Sequence, residues 1–158
     1  MKGHPLAFEL HLETETVGHM NLPKPLCVEP SVSVREVLNE LKARQSGSVS
    51  VCQDGKLVGM FTERDVLNRV VAKQLDPATT KVQDVMTSPV ITCNEDCDVN
   101  VCAADMSSKK IRHLPVISSD PNRTNLVGVI STGDLMALNV SQKQAQIDHL
   151  HEYLHGRA

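Results

Sequence analysis

Gly59-Met60-Phe61-Thr62-Glu63-Arg64-Asp65 returns further along the chain as Gly128-Val129-Ile130-Ser131-Thr132-Gly133-Asp134. Both copies read glycine, two apolar residues, a hydroxyl, two variable residues and aspartate. The glycine permits close backbone approach. The hydroxyl stands at a predicted helix start, where unpaired N–H groups and the helix dipole favour an anion. The carboxylate one turn later can accept from sugar hydroxyls. The same Thr62/Asp65 and Ser131/Asp134 spacing also describes a helix cap that needs no ligand, and a single copy would not decide between the two readings.

Outward from this corner, the repeat continues. An offset of 65 superposes Val17–Cys52 on Val82–Ile117 without a gap, as a repeat architecture requires. Val34, Val37, Leu38 and Leu41 fall on Val99, Cys102, Ala103 and Met106, the i, i+3, i+4, i+7 spacing of an amphipathic helix. Ser33 with Glu36 forms a capping box, and Asp98 takes the matching N-cap. Apolar runs at Leu26–Val28 and Val90–Cys93 precede these helices; Val49–Cys52 and Leu114–Ile117 follow them, and all four read as strands. A hairpin turns at Asp54-Gly55 in the first copy and at Asp120-Pro121-Asn122-Arg123 in the second, which raises the offset to 69. Third strands at Lys56–Phe61 and Asn125–Ile130 then run into helices starting at Thr62 and Ser131.

Each unit is therefore strand, helix, strand, strand, helix, an α+β fold. Val17–Asn21 and Val82–Met86 read as short helical lead-ins. The expected divisions are an N-terminal extension at 1–16, units at 17–73 and 81–140, an exposed linker at 74–80 and a helical tail at 141–158. The alternation over Phe8–Leu12 fits an edge strand or a helix. A separate last helix, Gln142–His155, carries Ile147, Leu150 and Leu154 as a packing stripe against the body or another subunit.

The doubled corner, with VMTSPVIT at 85–92 and IRHLPVI at 111–117, resembles the cystathionine β-synthase (CBS) domain pair, or Bateman module, over Val17 to about Val140. The resemblance implies two βαββα units around a pseudo-two-fold axis, with two clefts for adenosine-containing ligands such as AMP, ADP, ATP or S-adenosylmethionine. It further implies that Asp65 and Asp134 hold ribose hydroxyls, that Thr62 and Ser131, with Thr132 beside it, approach phosphate or ribose, and that Met60 and Val129 flank adenine. Thr87 would touch base or sugar, and its repeat partner is Leu22. Arg112 and His113 lie opposite Gly47 and Ser48, so a basic residue reaching phosphate is expected in the Asp65 cleft and a weaker Asp134 cleft beside it. Arg64 is either a second cation or a solvated helix residue.

The resemblance also implies a homodimer and a separate effector protein that senses the ligand. No catalytic constellation of nucleophile and base appears in the sequence, so a regulatory binder, not an enzyme, is expected. The alternative is a ligand-free dimerisation scaffold. A net charge of −3 and an aromatic share of 2% argue against nucleic acid as partner. No apolar run reaches membrane-span or signal-peptide length, and the five cysteines, without CxxC pairing, read as reduced thiols. A cytoplasmic location follows as the expectation. His151 and His155 share a helix face, but no third ligand completes a metal set, and Cys93, Cys97 and Cys102 need not converge.

Overall fold

The structure is a computed structural model and describes residues 15–123 and 126–155. The Phe8–Leu12 alternation, most of the extension at 1–16 and Asn125 lie outside those residues. The first unit runs β1 (Cys27–Val28), α1 (Val34–Arg44), β2 (Ser48–Gln53), β3 (Lys56–Thr62) and α2 (Glu63–Asp65), which continues as a π-helical stretch, Val66–Val71. The second runs β4 (Cys93–Asn94), α3 (Val99–Lys109), β5 (His113–Ile117), β6 (Leu126–Ser131) and α4 (Thr132–His155). In each unit the middle strand pairs parallel to the first and antiparallel to the third, and the register shifts at equivalent points, Val51/Cys52 and Val116/Ile117. The architecture is α+β, two matched units, as the repeat predicts.

Local chemistry sets the elements. Ser33 and Glu36 complete a capping box on α1, and Asp98 accepts from the Asn100 and Val101 amides on α3. Asp54 and Gly55 both take positive φ, 51° and 76°, the pairing a two-residue hairpin turn demands. Linker carbonyls of Pro77 and Thr80 accept from the amides of Arg35 and Val34, which satisfies donors that the first turn of α1 leaves open.

Three sequence expectations need correction. Val90–Thr92 is not strand, and β4 is only Cys93–Asn94. In the first unit the Ser50 amide donates to Leu26 O at 2.8 Å; the repeat counterpart of Ser50 is Pro115, which has no N–H to give. The separate last helix does not exist as such: Thr132–His155 is one helix, because after Gly133 no glycine or proline interrupts the run. The third correction concerns the lead-ins, which form 3₁₀ turns at Val17–His19 and Val82–Asp84 but are exchanged. Val17 is fully buried in the second unit's core with Val99, Met106, Leu114 and Ile130; Val82 and Val85 lie in the first unit's core with Val34, Val37 and Phe61.

The exchange is reciprocal. The Val17 amide donates to Cys97 O and the Val82 amide to Val32 O, both at 2.9 Å. Isolated bridges join Thr16 to Asp98 and Lys81 to Ser33. These four positions correspond under the repeat offset, so the two units are related by a pseudo-two-fold axis and each core is closed by the other unit's lead-in.

Candidate functional site

The exchange carries Met86 and Thr87 across to β3. Met60 and Thr87 trade backbone bonds, Met60 N–H to Thr87 O at 3.0 Å and Thr87 N–H to Met60 O at 2.7 Å. A methyl group on Gly59 would sit 2.1 Å from the Met86 sulfur, and one on Gly128 would sit 3.0 Å from a Leu22 methyl. The glycine of the doubled corner thus leaves room for a side chain that follows the crossing, Met86 in one copy and Leu22 in the other. Its expected close approach to a ligand is replaced by close approach of the chain itself.

Around this crossing lies a cleft of about 250 Å³, near the lower end of ligand pockets. Met60, Thr62, Arg64 and Asp65 line it from the first corner, Thr87, Pro89, Val90 and Ile91 from the segment after the second lead-in, and Ile111, Arg112 and His113 from the start of β5. Seven of the residues singled out in the sequence therefore share one cavity. Nothing in the spacing marks Pro89, Val90, Ile91 and Ile111 as an apolar wall, because the run Val90–Cys93 has the composition of a strand.

Asp65 is 8% exposed. Its Oδ2 accepts from the Thr62 amide at 3.0 Å and from the Thr62 hydroxyl at 3.3 Å. Its Oδ1 accepts from the Thr87 hydroxyl at 3.1 Å and faces Arg69 Nε at 3.5 Å. The cap and the cleft are consequently the same residues: one carboxylate oxygen closes the helix start, and the other meets an exposed hydroxyl at the cleft wall. Arg69, one turn after Asp65, also donates to Met86 O and so ties α2 to the crossing segment; nothing in the repeat marks it, since its counterpart is Leu138.

The basic edge comes from both units. Arg64 donates to Lys110 O at 3.1 Å, which answers the sequence alternatives with a third outcome, a side chain tethered to the opposite unit. Arg112 is exposed beside it. Burial holds the His113 imidazole below its ordinary value; Glu63 and Asp134 pull the other way, while Arg112 and Arg64 add to the lowering.

The second corner is built differently. Asp134 Oδ2 accepts from the Ser131 amide at 2.7 Å and hydroxyl at 2.8 Å, and the Asp134 amide donates back to Ser131 Oγ at 3.1 Å. Val129 and Ser131 line a second cleft of about 450 Å³ with Pro23, Lys24, Pro25 and Leu26, the counterparts of the segment after Thr87, and with Arg44. Asp134 is not among its lining residues, and Thr132 lies on an adjoining open groove. Lys24 and Arg44 give this cleft cations that the comparison of Arg112 with Gly47 did not foresee. His113 lines both clefts.

The cysteines correct one expectation. Cys93 and Cys97 both lie within hydrogen-bonding reach of the buried Cys102, so the three converge; burial, with these neighbours, pushes the Cys102 thiol up. Burial beside Cys27 likewise pushes Cys52 up to about 12. Such thiols stay protonated and are weak nucleophiles at neutral pH. Among the described residues no group of three or more His, Cys, Asp or Glu side chains is arranged to hold a metal ion, and no helix is long and apolar enough to cross a membrane.

Comparison with known proteins places this geometry. The family model "CBS domain" matches residues 17–72 and again 82–140. The CBS domain-containing protein YhcV of Bacillus subtilis is 30% identical over 118 residues, which cover 75% of this chain and 81% of that protein. Two further curated relatives are longer, and the match spans 63% and 61% of them. The CBS domain pair of protein MJ0100, solved in complex with 5′-methylthioadenosine and S-adenosyl-L-methionine, superposes with a TM-score of 0.71 at 25% identity, covering 82% of this chain and 98% of that one. The CBS domain protein PAE2072 of Pyrobaculum aerophilum, complexed with AMP, gives 0.68 at 27% identity, covering 77% and 90%.

Proposed function

The chain belongs to the CBS domain family as a tandem pair, and from that premise we propose that it is a regulatory module that binds an adenine-containing ligand, AMP, ADP, ATP or S-adenosylmethionine, in the Asp65 cleft. The observation that carries the reading is the convergence, in one cavity, of an apolar wall, a hydroxyl-bearing carboxylate corner and a cationic edge drawn from both units. Val90, Ile91 and Ile111 offer the faces an adenine needs. Asp65 Oδ1, now meeting Thr87, is placed to accept from ribose hydroxyls, and Arg112 with His113 faces the phosphate end. Relatives that carry adenosyl ligands on the same fold support the assignment.

A ligand touching both units favours whichever relative arrangement best matches it, and only that difference in affinity can be passed on. The proposal therefore includes a separate effector protein, a homodimer and a cytoplasmic setting, with a regulatory role instead of a catalytic one. Thr62 and Asp65 are committed to each other across the helix cap, which suits binding better than turnover. Isothermal titration of the full chain with each of the four ligands tests this; saturable binding of at least one, displaced by another, is the expected result. The second reading, a ligand-free dimerisation scaffold, has its own observation, that Thr62/Asp65 and Ser131/Asp134 are both complete caps. Absence of heat and of any melting shift with all four ligands would establish it.

A further inference from the structure

Three valines in or against the first unit's core have cysteine counterparts in the second. Under the offset of 65, Val28, Val32 and Val37 fall on Cys93, Cys97 and Cys102, and no other cysteine occurs between 81 and 140. Cysteine fills a valine site as a small hydrophobe, so one such exchange needs no further account. These three converge. Cys102 is 1% exposed in the second core, and Cys93 and Cys97 pack on that core within hydrogen-bonding reach of its thiol.

The cap of α3 fixes how one pair meets. Asp98 is the N-cap and accepts from the Asn100 and Val101 amides, which makes Cys97 the N′ residue and Cys102 the N4 residue. Those are the positions of the hydrophobic staple, whose side chains pack on each other across a helix start; Val32 and Val37 hold the same places about the Ser33 cap. The Cys102 amide donates to Asp98 O at 3.0 Å, so the turn that joins the two cysteines is closed. Cys93 reaches Cys102 from β4, another layer, and a bond there has to draw packed sheet and helix together. A bond within the staple does not.

We propose that the staple of α3 is a redox modification site, in which Cys97 and Cys102 join as a reversible disulfide when the chain meets the disulfide of a low-molecular-weight thiol. Cys97 is half-buried and meets the oxidant first. Its Sγ attacks one sulfur of the oxidant, forms a mixed disulfide and releases the first small thiol. Cys102 Sγ then attacks Cys97 Sγ, the mixed disulfide breaks and the second small thiol leaves. Two protein thiols are oxidised, their two electrons reduce the oxidant's S–S bond, and their two protons end on the released thiols. Burial holds Cys102 protonated, so the second step is the slow one, and contact within the staple offsets this through effective concentration. The bond closes at a joint between the units, because Cys97 O accepts the Val17 amide at 2.9 Å and the Val99 amide donates to Glu15 O at 3.0 Å. None of the three cysteines lines either cleft, so the inference stands independently of ligand binding.

Incubation of the folded full chain with oxidised glutathione is the test. After acid quenching and unfolding, N-ethylmaleimide blocks the remaining thiols, dithiothreitol reduces what was oxidised, and iodoacetamide labels it. Mass spectrometry then reads the tryptic peptide 82–109, which holds all three cysteines. The expected result is iodoacetamide on Cys97 and Cys102 together and N-ethylmaleimide on Cys93, with the Cys102 label lost in Cys97→Val and kept in Cys93→Val. Valine is the first unit's residue at both places, so both variants keep a core of native shape. Label on Cys93 and Cys102 with Cys97 blocked overturns the inference, since the bridge then runs from β4 to α3. Label on Cys97 alone, a glutathione adduct that goes no further, overturns it too, as does the absence of label from all three.

Discussion

Replacing Asp65 with asparagine separates the two tasks this side chain combines. Asparagine keeps an oxygen for the Thr62 amide, 3.0 Å away in the native corner, so the helix start retains that bond, whereas alanine would lose it at about 1 kcal/mol. The ion pair with Arg69 also goes; at 3.5 Å, with the Arg69 side chain 41% exposed, it contributes less than about 1 kcal/mol. The summed loss is about 1 kcal/mol, a fall of roughly 2–4 °C in melting temperature for a chain near this length. Binding suffers more. A hydrogen bond to a charged acceptor contributes about 1.5–3 kcal/mol, and at about 1.4 kcal/mol per decade Asp65→Asn should weaken the adenosyl ligand roughly 10- to 150-fold. Asp134→Asn, whose carboxylate is outside the lining of either cleft, should change affinity less than about threefold, the scatter of a surface substitution of about 0.5 kcal/mol. Titration calorimetry on both variants, with melting curves alongside, gives the two numbers. An Asp65→Asn protein that melts as expected and binds as tightly as the parent would refute the assignment of this carboxylate to ribose.

Three further outcomes follow from the same geometry. Because burial lowers the folded-state value of His113 below the ordinary 6.5, the unfolded chain binds more protons in the window between the two values. Stability should therefore fall as pH drops below about 6.5, and His113→Gln should flatten that slope in a pH series of melting curves; a nucleotide phosphate beside His113 should be bound with proton uptake, visible as buffer-dependent titration heats. Gly59→Ala forces a methyl to within 2.1 Å of the Met86 sulfur and should cost about 1–3 kcal/mol in chemical denaturation, with Met86→Ala recovering much of it in the double variant. Val17→Ala removes two methyls from a fully buried site, about 2 kcal/mol; hydrogen exchange should rise first in β5 and α3 of the second unit, although Val17 belongs to the first repeat.

How far the fold could be read in advance varied with the range of the interaction. The capping box at Ser33, the Asp54-Gly55 turn and the heptad-like spacing of α1 are local, and their side chains declare themselves within four residues. The exchange of Val17 and Val82 is not local. Offset repeats make either core an equally good host for either lead-in, and only the length and direction of the connections decide. Met86 meeting Gly59 and Leu22 meeting Gly128 are hidden for the same reason, so the sequence alone does not say what approaches either glycine. The start of β4 one residue later than β1 is legible in principle, since Pro115 stands where Ser50 pairs with Cys27. For the site, the repeat delivered the residues, and their convergence in one cleft depended on the crossing. The dual life of Asp65, cap on one oxygen and cleft wall on the other, is a question of distances that no spacing rule answers.

The crossing also limits what a ligand can do here. Val17 and Val82 are fully buried, each in the core of the unit it did not come from. The units therefore cannot part without opening both cores, at a cost comparable with unfolding a small domain. On the proposed function, a bound nucleotide would act by a small rotation about the pseudo-axis, through the polar contacts that span it. Arg64 on Lys110 O and His113 between the two clefts are the clearest of these. If the proposed ligand occupies the Asp65 cleft, Arg64 and His113 are expected to turn toward its phosphate, which would alter the wall of the second cleft that His113 shares. Coupling between the clefts in this molecule is thus expected to run through two side chains, and the stiffness of the exchanged lead-ins is what would keep so small a displacement from being absorbed elsewhere.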